Sequence, residues 1–105
     1  MKRSIVRSPA ATRHLLDHFV YIGESSLQAA DRFLFCVDRT LMLLADHPNI
    51  GRRVITGRRR LRSLRRWPVS GFRNFLIFYR ADSKTLTVVG IYHGARDLDT
   101  VFGVE

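Results

Sequence analysis

Between Gly51 and Arg80 the chain has no aspartate and no glutamate, and over its whole length it has one cysteine and three prolines. It also has no apolar run long enough to cross a bilayer. Each shortage removes a class of protein. A lone Cys36 forms no internal disulfide, so a disulfide-stapled scaffold is excluded and a reducing cytoplasm is the expected location. The opening "MKRSIVRSPAATRHLL" lacks the continuous apolar stretch of a signal peptide, and no membrane partner is expected. Internal repeats and low-complexity linkers are missing too. A chain of 105 residues is then expected to form a single domain over residues 1–105, large enough to bury one modest core. The hydrophobic share of 46% is ordinary for a globular protein and argues against disorder.

What is present is charge of one sign in one place. The formal net charge is +9, but residues 1–50 are nearly balanced and residues 81–105 are slightly acidic. The excess sits in the acid-free stretch, at Arg52, Arg53, Arg58, Arg59, Arg60, Arg62, Arg65, Arg66, Arg73 and Arg80. Such a block repels itself unless an anion is near. The choice of arginine matters, because its planar fork binds carboxylate or phosphate in two-point fashion and stacks on rings. A solvated basic face is the bland alternative; ten arginines without one acid favour an anionic partner.

Periodicity gives the architecture. Residues Ser4 to Arg7 read as a short strand. Ser8 and Pro9 supply an N-cap and a first-turn proline. Leu15, Leu16, Phe19, Val20 and Ile22 then follow helical spacing up to Gly23. A second helix, capped by Ser25 or Ser26, carries Ala30, Phe33, Leu34, Val37, Leu41 and Leu44 on one side and ends near Pro48. After Gly51 the period shortens. "LRSLRRW" (residues 61–67) reads as a strand with Pro68 at its edge or end, Ser70 and Gly71 as a turn, and residues 72–80 as a central strand. "ADSK" follows as a hairpin turn, and residues 85–92 as a β-branched strand. The fold class expected is α+β: a short N-terminal strand, a helical hairpin and a three-stranded antiparallel meander, with the helices on one face of the sheet. The other face is expected to stay open and to display the arginines.

Three stretches, "HPNIGRR", "WPVSGFRNFLIFYR" and "IYHGARDLDTVF", resemble the ParE/RelE superfamily of bacterial toxins, and the last two resemble the ParE branch more closely. The resemblance extends over nearly the whole chain. It implies a cognate ParD-like antitoxin whose C-terminal segment wraps and neutralises the toxin. It also implies DNA gyrase, or its complex with DNA, as the target. The RelE branch implies the alternative, a ribosome-dependent endoribonuclease that cuts messenger RNA. By the resemblance, Arg73 and Arg96 stand where that branch keeps phosphate-binding arginines, and Arg62 with Arg65 or Arg66 stands in the strand that carries its lysines. Phe102 stands near the position of its C-terminal tyrosine and cannot move a proton, which weakens the enzyme reading.

The residues expected to meet antitoxin or target are Arg62, Arg65, Arg66, Trp67, Arg73, Arg80, His93, Arg96 and Asp97. If the protein were a ribonuclease, Arg73, His93 and Arg96 would be its catalytic set, with His93 as acid or base; on the favoured reading there is none. Against these stand plainer roles: ion pairing or antitoxin docking for Arg73 and Arg96, a strand-end backbone hydrogen bond for His93, and a cap or ion pair for Asp97. Trp67 either stacks on a partner ring or covers the end of the core. His14 and His18 share a helix face at metal-ligand spacing, but no third ligand is evident and a solvated face is the expected reading. No metal and no cofactor are expected.

Overall fold

The structure, a computed structural model, describes residues 3–54, 63–94 and 96–97. Strand β1 (Ser4–Arg7) leads into helices α1 (Pro9–Gly23) and α2 (Leu27–Asp46) and a 3-10 turn (Pro48–Ile50). Strands β2 (Arg52–Arg53), β3 (Arg65–Val69), β4 (Phe72–Ala81) and β5 (Thr85–His93) follow. The sheet order is β1-β5-β4-β3-β2. β1 is parallel to β5, and all other pairings are antiparallel. This is the α+β arrangement expected, with β1 added at the edge of the meander.

The helices start where their caps dictate. The Ser8 hydroxyl accepts from the Ala11 N–H and the Ser26 hydroxyl from the Ala29 N–H, each relieving an unpaired first-turn donor. On α2 the 3.6-residue stripe Ala30, Phe33, Val37, Leu41 and Leu44 is buried. Its Phe33, Val37, Leu41 and Leu44 meet Val69, Phe75, Ile77, Tyr79, Leu86, Val88 and Ile91 of the sheet in one core. Phe33 is the hub, edge-to-face with Phe75 at 4.9 Å and Phe72 at 5.3 Å.

Two hydroxyls stitch the layers. Thr40 donates to the Cys36 carbonyl and accepts from the Ser70 N–H, which ties α2 to the β3–β4 turn. Tyr79 donates to the Pro48 carbonyl at 2.6 Å and accepts from the Gly51 N–H at 3.0 Å. A Cβ at residue 51 would collide with the Tyr79 ring and hydroxyl, so that position must be glycine. Gly71 takes φ 86° in the β3–β4 turn, a conformation that glycine adopts without strain.

Three expectations change. β3 runs Arg65–Val69, so Pro68 lies inside the strand rather than at its end; residues 61 and 62 fall outside the described residues. β2 reaches only to Arg66 along β3, so Pro68 faces an open edge where no N–H is needed. The short strand β2 itself carries too little pattern to be read from sequence.

The third change concerns the face away from the helices, which is not bare. Alternation from the paired residues puts Leu64, Arg66, Phe78, Arg80 and Tyr92 there. Leu64 and Phe78 are 0% and 1% exposed. No described helix is long and apolar enough to cross a membrane.

Candidate functional site

The arginines expected to act together divide between the two faces. Register pairs Arg66 with Phe78 and with Arg52, which places Arg52 and Arg66 on the far face. Arg80 lies on the same side, two residues beyond Phe78. Arg65 pairs with Tyr79 and so lies on the helix side. There its guanidinium donates to the Gly51 carbonyl at 2.7 Å and to the Asn49 carbonyl at 3.4 Å, closing the turn after α2. That structural use removes Arg65 from the free cations. Trp67 is half-buried and packs against the helix-side core, in keeping with its reading as cover. Arg73 is exposed beside the β3–β4 turn. Arg62 lies outside the described residues.

Arg52 and Arg66 are directly opposed across an antiparallel pair, as are Arg53 and Arg65. Like charges in that position are destabilising. Among the described residues Arg52, Arg53, Arg66 and Arg73 make no hydrogen bond or ion pair. Of these, Arg52 and Arg66 share the far face with the buried apolar residues Leu64 and Phe78, and apolar neighbours strengthen a cation's field.

A second cluster lies where β5 outruns β1. The β1 pairing stops at Val88, and α1 takes over the open edge. The Ser8 N–H donates to the Val88 carbonyl and its hydroxyl to the Val89 carbonyl. His14 Nδ1 accepts from the Ile91 N–H at 3.2 Å, and His18 Nε2 lies 2.7 Å from the Ile91 carbonyl, which it can bond only as donor. The two histidines stand in for a neighbouring strand. The expectation of a solvated face is corrected here: His18 is 5% exposed. Burial lowers the pKa of both rings, helped at His14 by the positive charge of its neighbours His18 and Arg13 and opposed at His18 by its bond to Ile91.

The same α1–β5 seam forms a cleft of about 460 Å³ lined by His14, Asp17, His18, Tyr21, Tyr92, Arg96 and Asp97, among others. Asp97 accepts from the His93 N–H at 2.7 Å and pairs with Arg96 at 3.0 Å. These bonds outweigh the effect of its burial and hold its carboxyl below the usual range. The Arg96 guanidinium also lies 5.3 Å from the centre of the Tyr21 ring. The ion pair expected of Asp97 and Arg96 is thus present, and Asp97 also bonds the backbone of the preceding strand end. The backbone bond expected of His93 is not made by its ring. The ring stands edge-on to Phe75 at 5.2 Å, and its Nδ1 is buried without a hydrogen-bond partner.

Sequence reading missed Gly90, Tyr79 and the second use of His14. Tyr92 folds its ring back over Gly90, where a Cβ would come within 2.7 Å of it, to meet Phe78 at 5.4 Å and His14 at 4.7 Å. A glycine inside a β-branched strand was the available signal.

A five-stranded sheet sealed by a helical hairpin on one face, with Arg52 and Arg66 on the other, defines a small α+β protein. The family described as the ParE toxin of type II toxin-antitoxin systems, parDE, matches residues 5–98, and the chain belongs to it. Among solved structures, a chain from the chromosomal ParDE toxin–antitoxin system of P. aeruginosa superposes with a TM-score of 0.69 at 14% identity. The match covers 88% of this chain and 96% of that one. At that identity the likeness is one of fold. No curated protein sequence matches the chain.

Proposed function

We propose that the protein arrests bacterial growth by inhibiting DNA gyrase in the cytoplasm, and that a ParD-like antitoxin neutralises it through its C-terminal segment. The ParE family match over residues 5–98 is the observation that carries this reading. The far face of the sheet supports it physically. Among the described residues Arg52 and Arg66, and Arg73 beside the β3–β4 turn, have no hydrogen-bond or ion-pair partner and are available to an anionic surface of target or antitoxin. Arg80, His93, Arg96 and Asp97 complete the candidate contact set, with Arg62 beyond the described residues.

On this reading the activity is binding, not bond cleavage. The ribonuclease alternative needs Arg73, His93 and Arg96 to converge on one phosphate. Arg96 is instead engaged by Asp97 and Tyr21.

A supercoiling assay with purified gyrase tests the proposal. The protein should inhibit supercoiling and accumulate cleaved DNA, and prior mixing with the antitoxin should restore activity. Unimpeded supercoiling, together with cleavage of messenger RNA on translating ribosomes, would replace this function by the alternative.

A further inference from the structure

The opposed pair Arg52 and Arg66 is the least economical feature of the sheet. Each strand of the short β2–β3 ladder places an arginine directly across from another on the face away from the helices. Threonine or glutamine would hold the same ladder without repulsion. No aspartate or glutamate occurs between Gly51 and Arg80, and neither side chain has a hydrogen bond or ion pair among the described residues. Leu64 and Phe78, both essentially fully buried, share that face with them.

What such a surface can bind follows from what surrounds it. A peptide needs apolar pockets for anchoring side chains as well as charge. Among the described residues the large exposed apolar side chains lie mostly on the helices, with Ile5 and Val6 on β1 and Ile50 in the 3-10 turn before β2, and none belongs to β2, β3 or β4. Among the described residues, the strands that carry Arg52 and Arg66 offer charge and no exposed large apolar side chain. A phosphodiester backbone asks for no more than that: neutralising phosphates releases counterions, and no apolar pocket is needed. Guanidinium forks match phosphate oxygens in two-point geometry.

We propose that Arg52 and Arg66 form a docking surface for the phosphate backbone of duplex DNA, independent of base sequence. The choice of duplex DNA rests on the proposed gyrase–DNA target. The contact itself is direct and does not require gyrase, so the two can fail separately.

The test is fluorescence anisotropy of a short labelled duplex titrated with the full chain at several salt concentrations, without gyrase. Wild type should bind, with log K falling linearly in log salt. The double variant Arg52→Gln/Arg66→Gln should flatten that slope by about 1.8, two phosphates at about 0.9 each. A control of equal charge loss on the helices, Arg13→Gln/Arg39→Gln, should leave the slope nearly unchanged. Arg52→Lys/Arg66→Lys should restore it, since either cation displaces counterions, and circular dichroism checks that every variant is folded. Equal flattening in the far-face and helix variants would reduce the effect to net charge and overturn the proposal. So would failure of the wild type to bind duplex, or a far-face defect seen with polyglutamate and not with DNA. Intact duplex binding alongside unimpeded supercoiling would sink the gyrase reading and leave this one standing.

Discussion

The two faces of the sheet solve opposite problems. On the helix side every strong interaction is internal: Phe33 against Phe72 and Phe75, Tyr79 tying the α2 turn, Thr40 tying the β3–β4 turn, and Arg65 spent on backbone carbonyls. On the far side Arg52 and Arg66 face each other with no hydrogen bond or ion pair among the described residues. Arginine alone therefore does not mark a binding surface. Arg65 and Arg66 are adjacent in sequence, and strand alternation makes one structural and leaves the other available. A residue whose local interaction is unfavourable, on a fold whose stability comes from elsewhere, is the one to examine for a partner.

Substitutions should separate the faces by sign as well as size. Phe33→Ala, at the hub of the helix-side core, should cost about 3–5 kcal/mol in urea unfolding. Tyr79→Phe keeps the ring and leaves the Pro48 carbonyl and Gly51 N–H without their partner, so a loss of about 1–3 kcal/mol is expected by the same measurement. A smaller loss would mean that water replaces the hydroxyl.

Acid should act through the α1–β5 seam. His14 and His18 have pKa values held below the ordinary 6.5 when folded. As pH falls through that value, the unfolded chain takes up protons that the folded chain resists, so stability is present at neutral pH and lost on acidification. The slope should approach at most about 1.4 kcal/mol per pH unit for each histidine. His14→Gln should reduce it. Asp97 and Asp82, both held low, contribute only at more acid pH, which keeps the windows apart.

The smallest effect should be opposite in sign. Arg66→Gln removes a like-charge pair and should raise the unfolding free energy by about 0.2–1 kcal/mol.

How far the sequence foretold this depends on the range of the interaction. Local devices were legible: the Ser8 and Ser26 caps, the α2 stripe, the turn at Ser70–Gly71, and the Asp82 turn, whose carboxylate accepts from the Lys84 and Thr85 N–H groups. The parallel pairing of β1 with β5 was not, because it joins residues some eighty positions apart and leaves no periodic trace. His14 and His18 were noticed for their spacing and misjudged. Spacing on a helix says which side chains share a face, but not that the face meets the unpaired edge of a strand. The arginine block was legible as charge. Its division between faces required the register, which a two-residue strand and a bulge at Pro68–Val69 hide.

Growth arrest on induction in bacteria measures most directly whether the face that carries Arg52 and Arg66 is the working one. At matched protein levels, Arg52→Gln/Arg66→Gln should abolish or sharply weaken the arrest, while Arg13→Gln/Arg39→Gln, with the same loss of charge on the helices, should arrest growth as wild type does. Arrest that survives the first pair of changes and fails with the second would place the working surface on the helices and contradict this account.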